Sequence, residues 1–302
     1  MTQKKSFKIG TGTIVLTVFS IIVTGGVWGI VDRWDEANSD EFDPASTHPH
    51  TFTYSPDENS VWMGTHTGIY ELSDGKWRRA VEDLRDNDIM GLEINSSDPN
   101  KIVASGHGFI AGTSDGGGAW TAFENGVPNQ PKPNVPDAHL LTTDPNNPEH
   151  LFVFINQEGD NVYESLDGGR TWSVAGEVSA GAYTIAVPAN RPVNENSLLV
   201  GTEEGLFLYR LGTELNSTET LNSEPTYGLL TRVNGEIISL TESGMYRSVD
   251  GKDWSPMDLE LKDEMPLGIK ASKQNPNQLL IVTNQFTAYE STDNGQTWNP
   301  LN

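Results

Sequence analysis

Apolar residues along the chain follow two different patterns. Residues 9–31 (IGTGTIVLTVFSIIVTGGVWGIV) form one continuous run with no charged side chain between Lys8 and Asp32. From residue 50 onward they recur in short bursts, such as KIVASG, HLFVFI and QLLIVT, bounded by Gly, Pro, Asn and Asp. Bursts of that kind predict strands joined by tight turns. The first run, at about 1.5 Å per helical residue, reaches roughly 35 Å, enough to span a bilayer. Lys4, Lys5 and Lys8 precede it, and Asp32, Asp35, Glu36, Asp40, Glu41 and Asp43 follow it. The positive-inside rule then places residues 1–8 in the cytoplasm, residues 9–31 as a single-pass transmembrane anchor in the cell membrane, and the rest outside. A cleaved signal peptide is the alternative, with Val23-Thr24-Gly25 as its weak cleavage site. Residues 32–47 lack apolar periodicity and read as an acidic linker.

An internal repeat organises the remainder. Ser291 to Trp298 has the pattern S-x-D-x-G-x-T-W, and Ser165 to Trp172 matches it throughout. Thr113 to Trp120 is a close variant, Ser248 to Trp254 is one residue shorter, and Ser73 to Trp77 is shorter still. The pattern predicts a hairpin turn. Its aspartate (Asp74, Asp115, Asp167, Asp250, Asp293) accepts backbone N–H bonds and its glycine takes positive φ. Its tryptophan (Trp77, Trp120, Trp172, Trp254, Trp298) buries its ring against the neighbouring unit. These residues resemble the Asp-box, or BNR, repeat of sialidases, sortilin-type receptors and photosystem II assembly-factor propellers. That resemblance implies that the boxes are structural and lie on the face away from the functional site.

Trp77 to Trp120 spans 43 residues, Trp120 to Trp172 spans 52, Trp172 to Trp254 spans 82 and Trp254 to Trp298 spans 44. Four-stranded propeller blades repeat at about 40 to 45 residues, so the interval of 82 holds two blades. The missing box falls near Leu211-Gly212-Thr213. The predicted fold is all-β: a six-bladed β-propeller of four-stranded blades over residues 48–302, behind one N-terminal transmembrane helix. Asp98-Pro99-Asn100, Asp144-Pro145-Asn146 and Asn275-Pro276-Asn277 mark turns between the innermost and second strands. Innermost strands are expected to begin near His50, Asp88, His139, Tyr183, Tyr227 and Met265.

Composition narrows the partners. The chain has 302 residues, no cysteine and a formal charge of −23. Lys4, Lys5, Lys8 and Arg33 against Asp32 leave −26 for everything after residue 33. So negative a field excludes nucleic acid as a partner and suits a soluble exported surface, cationic ligands or a protein partner.

Strand alternation sorts the histidines. The starts of innermost strands and the ends of second strands share one mouth of the channel, placing His50, His66, His107 and His139 there, with His48 and Asp88 beside them. His150 falls on the opposite face. Imidazoles with a nearby carboxylate suit a divalent transition metal, Zn²⁺ or Cu²⁺. A merely polar channel mouth is the alternative. His48-Pro49-His50, Thr65-His66-Thr67-Gly68, Ile89-Met90-Gly91 and Ser105-Gly106-His107 resemble exported bacterial Asp-box proteins labelled glycosyl hydrolase or sialidase-like.

A sialidase holds its substrate carboxylate with three arginines at the active mouth. Here Arg170 lies in an octamer, Arg191 and Arg232 lie near inner turns, and only Arg85 approaches the correct face. Glu203, Glu242 and Tyr227 remain as candidate catalytic groups at the mouth. The leading expectation is a non-enzymatic module binding an extracellular ligand or protein, with an extracellular glycoside hydrolase as the alternative.

Overall fold

In the computed structural model, residues 42–302 are described, apart from Asp160, Ala180, Val193, Asn194, residues 213–216, Asp263 and the side chain of Ser217. The expected anchor at residues 9–31 lies outside the described residues. Among those described, no helix is long and apolar enough to cross a membrane.

Short apolar runs pair into six four-stranded antiparallel sheets, each made of four consecutive strands. They form the blades of a six-bladed β-propeller. The innermost strands are Pro49–Tyr54, Ile89–Ile94, Ala138–Asp144, Thr184–Ala186, Thr226–Thr231 and Lys270–Ala271. Together they line a central channel of about 480 Å³. Second strands such as Val61–Thr65, Ile102–Gly106 and Ile237–Thr241 are buried at every residue. Sandwiched between neighbouring blades, they bury both faces, which is why they read as unbroken apolar runs rather than alternating ones. In the sixth blade the ladder of the innermost strand is shorter than the expected start near Met265. Pro266 makes only an isolated bridge to Thr283, because proline lacks the N–H a ladder needs.

Four of the five repeated turns behave as the pattern predicts. Asp167 Oδ1 accepts the Thr171 N–H at 2.9 Å, and Oδ2 accepts the Thr171 hydroxyl at 2.6 Å. Asp293 repeats this with Thr297 at 2.9 and 2.7 Å. Asp115 accepts from Gly118 and Ala119, and Asp250 from Lys252 and Asp253. Hydrogen bonding from Thr297 holds Asp293 down at about 2. Asp74 departs from the expectation. It opens a two-residue Asp-Gly hairpin with φ of 52° and 70° at Asp74 and Gly75. With so short a loop there are no following N–H groups for its carboxylate to gather, so its backbone conformation, not its side chain, makes the turn.

Each tryptophan reaches back to the preceding blade. Trp172 is buried among Val103, Ile110 and Leu141, and donates from Nε1 to the Phe123 carbonyl at 2.8 Å. Gly169, at φ 89°, leaves only 3.1 Å between a built Cβ and Val103, so the turn itself is seated against that blade. Trp298 donates to the Asp258 carbonyl at 3.2 Å, and Trp77 to that of Phe286 at 2.9 Å. Trp120 and Trp254 pack on the first and fourth blades respectively. The ring closes between blades six and one without a shared strand, through Trp77, Phe52 and Met63 against Leu280 and Val282. Phe42, expected in the linker, packs edge-on against Tyr70 and Phe286 at 5.1 and 4.8 Å between centroids. The packed unit therefore begins by Phe42 rather than at His48, because the closing seam offers Phe42 apolar surface.

The fourth blade lacks the tryptophan, and its seam with the third is built differently. Leu211 is buried against Phe152, Phe154 and Val178. Beside it, His150 sits between Asp144 (Nδ1 to Oδ2, 3.6 Å) and Glu164 (Nε2 to Oε2, 3.1 Å). Arg191 grips Asp144 from the other side. Burial opposes charge on His150, but Asp144 and Glu164 outweigh it and raise its pKa.

Two outcomes follow from this packing. Trp172→Ala lowers stability by about 3 to 5 kcal/mol, read as a shifted urea midpoint, because the turn cannot collapse into the void. The raised pKa of His150 makes its contribution complete below its unfolded value of about 6.5 and lost as pH climbs through the folded one. His150→Gln therefore costs more stability at about pH 5.5 than at about pH 9, measured by urea midpoints at both.

Candidate metal centre at the channel mouth

Turns between second and third strands, together with the starts of innermost strands, bring the predicted histidines onto one mouth. His66 follows the second strand of blade one and His107 that of blade two. His50 and His139 each sit second in the innermost strands of blades one and three. Asp88 immediately precedes the innermost strand of blade two.

Two groups of ligand atoms result. In the first, His50 Nε2 lies 3.1 Å from His66 Nδ1 and 3.3 Å from Asp88 Oδ1, while His66 Nδ1 is 2.9 Å from Asp88 Oδ2. In the second, His107 Nε2 and His139 Nε2 are 2.9 Å apart, and Asp137 Oδ1 lies 3.2 and 2.8 Å from them. His107 Nδ1 also meets Asp88 Oδ2 at 2.9 Å, joining the groups. Ligands about 2.1 Å from a tetrahedral Zn²⁺ stand about 3.3 Å apart, so both groups have the right span. Within each group every ligand atom lies within 4.8 Å of the others.

The expectation of four histidines around one point therefore resolves into two pairs, each completed by an aspartate. Asp137 was missed in the sequence. It precedes its innermost strand just as Asp88 does, and that shared position is the signal that finds it. His48 stands 5.3 Å from His66 between ring centroids and supplies no ligand atom to either group.

The electrostatics favour ligation. Burial pushes His50 down to about 4, helped by its histidine neighbours and opposed by Asp88, so its imidazole is neutral at neutral pH. Asp88 Oδ1 is buried without a hydrogen bond. Such an oxygen is costly unless a cation faces it.

Across the mouth lie different residues. Tyr183 and Tyr227 are exposed and stacked, 5.7 Å between centroids. Glu203 and Glu242 both bear on Tyr227, whose pKa is raised by desolvation and by these charges. Both glutamates are exposed. A glycosidase acid needs burial to stay protonated, and neither glutamate has it. Arg85, the arginine expected to approach this face, is held by Glu82 at 2.7 Å. Deeper in the channel, Lys270 Nζ reaches Glu93 Oε1 at 2.6 Å. Burial works against the Glu93 charge, but Lys270 outweighs it and keeps the carboxyl below its ordinary value.

No protein-family model matches the chain, and no curated protein matches it in sequence. Solved structures do match in fold. A protein assigned as a gluconolactonase superposes with a TM-score of 0.60 at 14% identity, over 85% of this chain and 91% of the other. The GH74 enzyme of Niastella koreensis superposes at 0.57 and 15% identity over 84% of this chain. The match spans only 45% of that enzyme, so this chain corresponds to a little under half its length. YCF48 bound to D1 peptide superposes at 0.50 and 19% identity, over 85% and 82% of the two chains. At these identities the likeness establishes the β-propeller fold and nothing finer.

Proposed function

We propose that this chain is an extracytoplasmic binding module of Asp-box repeats, tethered to the cell membrane by residues 9–31, whose channel mouth binds a divalent transition metal. The metal reading rests on one observation: imidazole nitrogens and carboxylate oxygens converge there at 2.8 to 3.3 Å. Neutral imidazole with carboxylate is a donor set for Zn²⁺ or Cu²⁺ rather than for Ca²⁺ or Mg²⁺, which take oxygen.

The exposed Tyr183–Tyr227 stack beside the mouth is the surface on which an extracellular ligand or protein partner would rest. YCF48, similar in fold, has been solved with a bound peptide, which makes a protein partner a natural choice for this mouth. The glycoside hydrolase alternative takes its support from the GH74 likeness but lacks a buried acid to act with Glu203 or Glu242. Asp-box identity rests on the carboxylate-to-backbone turns at Asp115, Asp167, Asp250 and Asp293.

Zn²⁺ added to the chelator-stripped full chain is taken up, as measured by calorimetry and elemental analysis. The double change His66→Ala with His107→Ala lowers that uptake at least about tenfold with an unaltered circular-dichroism spectrum, both side chains being at the surface. Absence of uptake by the unmodified chain removes the metal reading. Protease added to intact cells cleaves the propeller away, since the lysines flanking the apolar run, Lys4, Lys5 and Lys8, all precede it and the residues just after it are mostly acidic. Protection of the propeller in a single-membrane organism reverses the proposed orientation.

A further inference from the structure

The turn histidine and the aspartate of the two groups are copies of one arrangement displaced by one blade. The third ligand comes from the blade of the turn histidine in the first group and from the blade of the aspartate in the second. His66 and His107 each occupy the first position after a second strand, at Thr65 and Gly106. Asp88 and Asp137 each immediately precede the innermost strand of the following blade. The repeat thus sets a turn histidine of one blade against an entry aspartate of the next, and it does so twice. His50 completes the first group from blade one and His139 the second from blade three, each from the second position of its innermost strand. At the seam that follows, Asn156 and Tyr183 take these places, so the arrangement ends there.

Resting on the metal reading above, we infer that the mouth holds two divalent transition-metal ions at once, one in each group, and that Asp88 links them. The first ion takes His50 Nε2, His66 Nδ1 and Asp88 Oδ1. The second takes His107 Nε2, His139 Nε2 and Asp137 Oδ1.

Proton accounting supports two positions. When His107 donates from Nδ1 to Asp88 Oδ2, at 2.9 Å, its Nε2 keeps a lone pair. That lone pair faces Asp137 Oδ1 at 3.2 Å and His139 Nε2 at 2.9 Å. The one proton on His139 Nε2 serves either acceptor, not both, and a cation at the centre satisfies all three atoms. Asn156 fixes Asp137 by donating from Nδ2 to the other oxygen, Oδ2, at 3.0 Å. In the first group Asp88 Oδ1 is the buried oxygen without a hydrogen-bond donor.

Asp88 therefore has two roles. It is a ligand of the first ion through Oδ1. Through Oδ2 it is a positioning residue for the second, the carboxylate that fixes the tautomer and direction of a ligating histidine. Mutual repulsion of two dications in close proximity is the opposing effect, and the carboxylates of Asp88 and Asp137 inside the cluster offset it.

Stoichiometry separates this inference from the reading beneath it. Zn²⁺ titrated into the chelator-stripped full chain should bind at two ions per chain. His50→Ala with His66→Ala should leave one, and Asp137→Asn with His139→Ala should also leave one. One ion in the unmodified chain overturns the two-ion inference while keeping a metal at the mouth. No ion overturns both.

The link is tested separately, by adding Asp88→Asn to the His50→Ala, His66→Ala chain, where only the second position remains. The remaining affinity should fall by about 10- to 100-fold, the usual effect of removing a carboxylate behind a ligating histidine. An unchanged affinity there overturns the link through Asp88. Unchanged urea midpoints of the variants in the presence of chelator establish that lost binding is not lost folding.

Discussion

The ring stands on one contact repeated around it: the insertion of an octamer turn and its tryptophan into the blade before. A four-stranded sheet buries neither face alone, and here the second strands need cover on both sides. The Asp carboxylate closes the turn tightly enough for a glycine such as Gly169 to lie against Val103 of the preceding blade. Trp172 then fills the remaining space and satisfies its own N–H on the Phe123 carbonyl. Orientation between blades follows from this wedge, and so does the convergence of strand ends at the channel mouth.

One seam lacks the wedge and another supplements it. Between blades three and four a leucine, Leu211, supplies the apolar contact, and a charged network through His150, Asp144, Glu164 and Arg191 supplies the fixing. At the closing seam Phe42 adds a ring from outside the repeats to Tyr70 and Phe286. Glu58 also takes part by accepting from the Ser272 hydroxyl and the Lys273 N–H. With no strand exchanged between first and last blades, these contacts join Trp77, Phe52 and Met63 against Leu280 and Val282 in holding the ring shut.

Side-chain chemistry is segregated by face and by blade. The repeated turns occupy one end of the channel and the clustered histidines the other, because in an antiparallel blade the inner turns and outer hairpins point one way and the turns between second and third strands the other. Within the histidine mouth, blades one to three contribute nitrogen and carboxylate donors, whereas blades four and five contribute stacked tyrosines. Imidazoles and carboxylates on one side and an aromatic shelf on the other give the mouth two chemically different sides.

The repeat, the strand count and the sorting of histidines to one mouth were all present in the sequence. Their causes are local: octamer turns are closed by their own side chains, and strand alternation carries each histidine to a definite end. Locality also set the limits. Asp74 shares the letters of the octamer but not its length, and in a two-residue turn its carboxylate faces Arg78 at 3.9 Å instead of gathering the turn's own N–H groups. Phe42 looked like linker because residues 32–47 lack apolar periodicity, while its cover comes from blades one and six. The division of four histidines into two pairs, and the place of Asp137, depended on distances between different blades. So did the Glu93–Lys270 pair inside the channel, whose partners are 177 residues apart. Contacts of that range are decided by how blades are rotated against one another, which only the packed ring determines.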